Sequence, residues 1–419
     1  MTGLAESTVN KLPQCRVCGS TDLVQFLDLG MQPLCNNFLT REELALGEPK
    51  YPLVPFFCRD CYLVQLTDSA PAQEMFVDHT YLTGSTKALV RHFDELARVL
   101  TGRFLTPGDL VVDIGSNDGS FLKGYEQPTY PVLGVEVCDP IADIARRSGI
   151  PTLTDFMGIP TTEIILAEHG PAKLVTAAGV WFHIEDLHDA TQAVARLLTR
   201  DGIFVIQAMY LGDVLRNNAY DSFYHEHLCL YSFGPLRTLL ARHGLEVFDV
   251  SHSPIHGGSL TVYSAHVGTR PVQDSVREFI ELEKQLDLNK LSTYDAFAER
   301  VIHKSQKLRA MLEEARTANR RVWAYGAPAK SSTLLNFSKI GPALIEQALE
   351  INPLKCGRLT PGTHIPVVDE NSIRNDKVDD IVLLAWNFRE SLESRARALL
   401  RPGGRILLPV PDPVWISGN

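Results

Sequence analysis

No run of apolar residues in this chain approaches the roughly 20 that a membrane-spanning helix needs; one of the longest is Ile381 to Trp386. The opening stretch, MTGLAESTVNKLPQC, lacks the basic segment followed by an apolar one that marks a secretory leader. Positive charge is not in excess either. Lys+Arg number 40 against 50 Asp+Glu, a net charge of −10, which argues against a nucleic-acid phosphate backbone as the main partner. With 21% charged and 45% hydrophobic residues, the chain has too little charge and too much apolar material for wholesale disorder. These absences lead us to expect a cytoplasmic protein with neither a nucleic-acid nor a membrane partner, and 419 residues suggest about three domains.

Cysteine is scarce over most of the chain and crowded at one end. Five of eight fall in the first 61 positions, as Cys15, Cys18, Cys35, Cys58 and Cys61, while Cys138, Cys229 and Cys356 are scattered. In a chain without an export signal such crowding points to metal and not to disulfides. Cys15 with Cys18 and Cys58 with Cys61 form two C-x-x-C pairs, 39 residues apart. Four thiolates match a closed, structural zinc site around which short extended pieces can fold. Cys35 has no such pair partner and reads as a small core residue.

From about 72 to 105 the pattern is helical, and at Asp109 strands and helices begin to alternate. LVVDIGSNDGSFLKGY reads as a buried strand, a glycine turn and a helix, and PVLGVEVCDP as a second strand with an acid at its end. An antiparallel addition is expected at the end of this sheet. Residues 273–315, rich in Glu, Lys and Leu, read as connecting helices. A second strand-turn-helix unit then begins at RVWAYGAPAKSSTLLNF; Glu350 follows Gly326 by 24 residues much as Glu136 follows Gly115 by 21.

The first glycine turn is not G-x-G-x-x-G. Gly115 and Gly119 would let the backbone approach a ligand, and Glu136 could accept hydrogen bonds from ribose hydroxyls. This form is more typical of S-adenosylmethionine (SAM) sites than of dinucleotide sites. Asp155 and Phe156 follow a third strand, where an adenine amino group and ring face could be met. The richest polar cluster is Tyr224-His225-Glu226-His227, within an aromatic stretch. Methylation at carbon needs a base to remove an acidified proton, and His225 and His227 are both candidates. Glu226 and Tyr224 would orient the base or hold substrate hydroxyls.

Uncommon strings lie in order along almost the whole chain: CRVCG with CRDC, GMQPLCNNF, DHTYLTGS, VVDIGSNDGSF, YHEHLCLYS, HGGSLTVY, YGAPAKSSTLLNF and NPLKCGRLTPGTHIPV. On these the sequence resembles the SAM-dependent sugar C-methyltransferases that act at C3 of thymidine-diphosphate (TDP)-linked 4-keto-deoxysugars in antibiotic biosynthesis, of the mycarose type. The resemblance implies an α/β protein with an N-terminal zinc-binding lobe (1–70), a central Rossmann-like SAM methyltransferase domain (71–285) and a C-terminal Rossmann-like nucleotide-sugar-binding domain (286–419), acting as a monomer. It implies that Cys15, Cys18, Cys58 and Cys61 bind zinc and that Tyr81, Gly84, Ser85, Gly115, Asn117, Gly119 and Glu136 lie near SAM. It further implies that Tyr81, His183, Tyr224, Glu226 and His227 line the reaction centre, with His227 as base. The nucleotide would rest on the C-terminal lobe, its diphosphate received by Lys330 and Ser331 of YGAPAKSS and by Lys355 and Arg358 of NPLKCGR. Where the family commonly has HGGSLR, this chain has Thr261 in place of the Arg, which puts the ionic contact implied there in doubt. The rival expectation is an NADPH-dependent 4-ketoreductase, acting as well as or instead of methyl transfer.

Overall fold

The computed structural model describes residues 10–71, 75, 81–373 and 376–418. The first residues of the expected helical segment, and Asp78 to Thr80 of DHTYLTGS, lie outside the described residues.

In the N-terminal lobe each cysteine pair closes a tight turn. Gly19 N donates to the Cys15 carbonyl and Tyr62 N to that of Cys58, both at 2.9 Å. Each turn ends in a left-handed residue, Gly19 at φ +76° and Tyr62 at φ +68°. Glycine takes that conformation freely and tyrosine does not, so the second turn needs support from its surroundings. Strands Leu23–Gln25, Pro55–Cys58 and Val64–Leu66 make a small antiparallel sheet, whose fourth strand, Cys229–Leu230, comes from more than 150 residues downstream. The segment just after the His cluster is thereby built into this lobe.

The central sheet has seven strands, ordered Thr152–Thr154, Val132–Glu136, Val111–Ile114, Ala172–Ala178, Leu198–Met209, Ser259–His266, Leu245–Ser253. The first five run parallel; Ser259–His266 pairs antiparallel to the fifth, and Leu245–Ser253 antiparallel to Ser259–His266, which is the expected terminal addition. Val111 to Ile114 are buried throughout, as a central parallel strand covered on both faces must be. Helix Lys87–Phe104 packs Leu89, Phe93, Leu96, Ala97 and Leu100 inward, one stripe at helical spacing. The order reverses between Val111–Ile114 and Ala172–Ala178, and a crevice for ligands opens at such a switch point, beyond the strands' C-terminal ends.

Helices Asp274–Gln285 and Leu291–Thr317 lead to a second sheet, ordered Val367–Asp369, Ala348–Glu350, Val322–Tyr325, Val378–Leu383, Leu400–Leu408, Val414–Ser417. Its first five strands repeat the order of the central sheet, all parallel. The echo between the halves extends to hydrogen bonds. Gly115 N donates to the Val135 carbonyl and Gly326 N to that of Leu349, each at 2.8 Å. Glu136 accepts from Asn117 N and Cys138 N, and Glu350 from Ala327 N and Asn352 N.

Asp380, fully buried in the second sheet, takes paired hydrogen bonds of 2.7–3.0 Å from both Arg320 and Arg405. Burial raises its pKa, but the two guanidiniums outweigh burial and hold the carboxyl below its ordinary value. A depressed folded pKa contributes stability above the unfolded value of about 3.9, which is lost as pH falls through the folded one. Asp380→Ala should cost about 2–3 kcal/mol near neutral pH, somewhat under the usual figure for a broken buried pair because both arginines reach solvent. The loss of stability relative to the parent should shrink below pH 4, as thermal unfolding at several pH values would show.

Candidate active site

The four thiols of Cys15, Cys18, Cys58 and Cys61 converge with all sulfurs within 4.8 Å of one another. Cys15 Sγ to Cys61 Sγ is 3.4 Å and Cys18 Sγ to Cys58 Sγ 3.5 Å. Metal–sulfur bonds of about 2.3 Å in a tetrahedron place sulfurs about 3.8 Å apart, so the donor set suits zinc in number, chemistry and spacing.

At the crevice of the central sheet, the turn after Val111–Ile114 carries three left-handed residues, Gly115, Asn117 and Gly119. A Cβ on Gly115 would lie 2.6 Å from Val180 Cγ2, and one on Gly84 2.6 Å from Asp118 Oδ2, so neither position admits a larger residue without movement. The segment Tyr81 to Ser85 is bound to this turn: Thr83 N donates to Asn117 Oδ1 (2.9 Å), Gly84 N to Asp118 Oδ2 (2.9 Å) and Asn117 Nδ2 to the Tyr81 carbonyl (3.1 Å). The structure thus brings together Tyr81, Gly84, Ser85, Gly115, Asn117 and Gly119, which lie up to 38 positions apart in sequence.

Glu136 ends the adjacent strand. It accepts Asn117 N at 3.0 Å and Cys138 N at 2.9 Å, two of the roughly four hydrogen bonds a carboxylate can take, so lone pairs remain for ribose hydroxyls. Thr154 pairs with Glu136, and Asp155 and Phe156 follow at the strand's exposed end, with Phe156 52% exposed. Packing gives no reason for that open ring, which suits an adenine face. Beneath the turn, burial pushes the Asp113 carboxyl up to about 7 against the 2.6 Å hydrogen bond from Thr176 Oγ1, and the Glu136 charge adds to the rise.

The two histidines of the polar cluster face different neighbours. His225 Nε2 lies 3.3 Å from the Tyr51 carbonyl, its ring edge-on to Tyr51 in the zinc lobe; burial pushes its pKa down to about 4. His227 turns toward Phe182, His183 and Tyr224, at ring-centroid distances of 4.6, 5.2 and 3.7 Å. Its Nδ1 lies 2.7 Å from the Ser222 carbonyl. A carbonyl can only accept, so Nδ1 carries the proton and Nε2 the lone pair. Burial drives the pKa of His227 well below the usual histidine value, helped by His183 and opposed by the Ser222 carbonyl and Glu226. His183 Nδ1 is held in the same manner, 2.5 Å from the Glu226 carbonyl.

Glu226 is buried, and the N-terminal lobe grips it: Asn36 Nδ2 donates at 2.7 Å and Cys35 Sγ at 3.3 Å, both to Oε1. The sequence alone reads Cys35 as a core residue and singles out no role for Asn36. Both lie in GMQPLCNNF, the one hint available. Of the cations expected on the C-terminal lobe, Lys355 is buried over the Phe38 ring (4.8 Å) and donates to the Ala327 carbonyl (2.9 Å). Arg358 Nη1 reaches the zinc lobe at the Phe38 carbonyl (2.8 Å) and Glu43 (3.2 Å). Ser331 Oγ caps the Pro328 carbonyl (2.6 Å). Lys330 points inward, 3.7 Å from Asp221 Oδ2. Thr261 Oγ1 accepts from Gln207 Nε2 (3.1 Å), whose amide also meets His92.

Comparison with known proteins gives three family models in chain order: a zinc-binding domain over residues 15–76, a methyltransferase domain over 89–250, and a C-methyltransferase C-terminal domain over 254–411. The chain is 32% identical to the C-methyltransferase NovU of Streptomyces niveus over 416 residues, 99% of each chain. Solved structures similar to it include the magnesium protoporphyrin IX methyltransferase of Synechocystis PCC 6803 with bound SAM (16% identity, 42% of this chain and 79% of that one, TM-score 0.32). Another is a SAM-dependent methyltransferase of Clostridium acetobutylicum (14% identity, 44% and 94%, TM-score 0.34). Among the described residues, no helix is long and apolar enough to cross a membrane.

Proposed function

Because this chain belongs to the C-methyltransferase family and is a SAM-dependent C-methyltransferase, we propose that its methyl acceptor is C3 of a TDP-linked 4-keto-deoxysugar, activated as an enolate by His227. In this reading residues 1–70 form the zinc lobe, 71–285 carry SAM, and 286–419 carry the nucleotide sugar, within a monomer.

One observation carries the reading. His227 is buried and neutral, its Nδ1–H is spent on the Ser222 carbonyl, and its basic Nε2 stands among Tyr224, His183 and Phe182. A neutral imidazole keeps its lone pair available at neutral pH, the ketone activates the neighbouring C–H once charge on its oxygen is stabilised, and a site between lobes excludes the water that would quench a carbanion. Glu226, fixed by Asn36 and Cys35, would orient sugar hydroxyls together with Tyr224. The glycine turn, Tyr81 to Ser85, Glu136, Asp155 and Phe156 would hold SAM, which supplies an electrophilic methyl group on a sulfonium. Lys355 and Arg358 would close the sugar-nucleotide side, where they also tie the C-terminal lobe to the zinc lobe. Fixing donor and acceptor on separate lobes converts an encounter into a positioned reaction.

The test is to incubate the enzyme with a TDP-4-keto-6-deoxysugar in D₂O, with and without SAM, and to follow the sugar by NMR. Deuterium is expected at C3 without SAM, and a C3-branched product with it. Methylation at oxygen, or no exchange at C3 with any such sugar, would sink the proposal.

A further inference from the structure

The turn from Tyr220 to Phe223 lies between the proposed base and the C-terminal lobe, and that lobe holds it on both sides. Tyr220 Oη is 3.0 Å from Ser338 Oγ, and Thr333 Oγ1 donates to the Phe223 carbonyl at 2.6 Å. Thr333 sits in helix Ser331–Phe337 and Ser338 closes it. Lys330, immediately before this helix, is therefore carried to the turn whose Ser222 carbonyl orients His227.

Lys330 is nearly enclosed, its side chain 12% exposed. Its Nζ stands 4.3 Å from the Trp386 ring centroid and 3.7 Å from Asp221 Oδ2, an ion pair too long for a good hydrogen bond, so donors of the ammonium are left uncommitted. Asp221 is fully buried. Its Oδ2 accepts Trp386 Nε1 at 2.7 Å, and its Oδ1 has no hydrogen-bond partner among the described residues. The cluster thus holds a carboxylate oxygen and an ammonium whose hydrogen-bonding capacity the protein leaves unused, and buried polar groups are rarely left so. By contrast Lys355, Arg358 and Ser331 are already bonded to protein carbonyls.

We propose that Lys330 is a catalytic residue of the methyl transfer, donating to the substrate oxygen on which enolate charge develops, and that Asp221 and Trp386 are positioning residues that hold its ammonium there. This rests on the enolate reading above. As His227 Nε2 takes the C3 proton, the C–H pair becomes the C3–C4 π bond and the carbonyl π pair moves onto O4, to which Lys330 would donate. When C3 then bonds to the methyl carbon, the methyl–sulfur pair returns to sulfur, the C4 carbonyl re-forms, and Lys330 has neither gained nor lost a proton. A preorganised cation in a water-poor site stabilises such an oxyanion far more than it would in water. The electrostatics agree. Burial lowers the basicity of Lys330 and Asp221 opposes that fall without cancelling it, while Lys330 helps to keep both His227 and His256 neutral.

The experiment compares Lys330→Met with the parent enzyme for C3 deuterium exchange at saturating TDP-4-keto-sugar, for methyl transfer, and for calorimetric binding of TDP and of S-adenosylhomocysteine. Exchange and transfer are expected to fall about 10²- to 10³-fold, with both affinities within about threefold of the parent. Exchange at saturation close to the parent's, with TDP affinity reduced about tenfold or more, would overturn the assignment and make Lys330 a diphosphate ligand. Where the Met variant loses S-adenosylhomocysteine binding through misfolding, Lys330→Ala with ethylamine decides: recovered exchange supports the proposal, and none overturns it. Failure of the parent enzyme to exchange C3 at all would instead sink the functional reading itself.

Discussion

In a His227→Gln variant, deuterium exchange at C3 of the 4-keto-sugar and methyl transfer are expected to fall together, by about 10²- to 10⁴-fold. Glutamine can still donate to the Ser222 carbonyl, which takes the Nδ1–H of His227 at 2.7 Å, but offers no basic nitrogen in place of Nε2. Binding of S-adenosylhomocysteine should be unchanged, because the glycine turn and Glu136 lie on other elements. The parent enzyme's pH profile gives a second reading. A general base must be neutral to act, and burial, with His183 and Lys330 adding to it, holds His227 well below the ordinary histidine pKa against the pull of Ser222 and Glu226. Activity should therefore persist as pH falls through about 6.5, with the acid limb appearing only below. Unchanged C3 exchange in the glutamine variant would remove His227 from the role of base.

The second large effect is expected at the other end of the chain. Zinc removal by a strong chelator, or Cys58→Ser, should unfold the N-terminal lobe and abolish methyl transfer with it. Structural zinc in zinc-finger peptides contributes about 10–16 kcal/mol of apparent folding free energy, as much as or more than the whole stability of a typical domain. The consequence reaches the reaction centre by two routes. The lobe supplies Asn36 and Cys35 to Glu226, and its strand Val64–Leu66 pairs with Cys229–Leu230, just beyond His227. Metal analysis, thermal unfolding and the exchange assay on one sample would follow loss of zinc, of the lobe's unfolding transition and of activity in parallel. A chelated, metal-free protein that keeps its transition and its activity would show that the thiols alone hold the lobe.

How much of this was legible beforehand differs by feature. The two C-x-x-C pairs announced their site because each knuckle is a five-residue turn, closed by its own backbone, and only the meeting of the two required the fold. The strand-turn-helix units around Gly115 and Gly326 were equally readable, since buried strands, left-handed glycines and an acid at the next strand's end are local patterns. Their shared strand order, only loosely suggested by the spacing of Glu136 and Glu350, became explicit in the matching hydrogen bonds. Cys35 shows the opposite case. The uncommon string GMQPLCNNF marks its segment, but nothing in that string names the partner, a carboxylate 191 positions away.

What the sequence determined by itself was which local units exist: the thiol knuckles, two Rossmann-like halves and an aromatic-flanked histidine cluster. Their signals are periodicities and turns spanning a few residues, and backbone sterics enforce these wherever the segment sits. Tertiary structure alone decided which way the cluster's side chains face and what they meet. His225 and His227 are two residues apart, yet one packs against Tyr51 of the zinc lobe and the other against Tyr224 and His183. Lys330, Lys355 and Arg358, alike as charges, go to Asp221, to a backbone carbonyl and to Glu43. Those outcomes depend on how three lobes dock, through contacts that reach as far as the 315 positions between Glu43 and Arg358, and no local pattern encodes the partner on the far side.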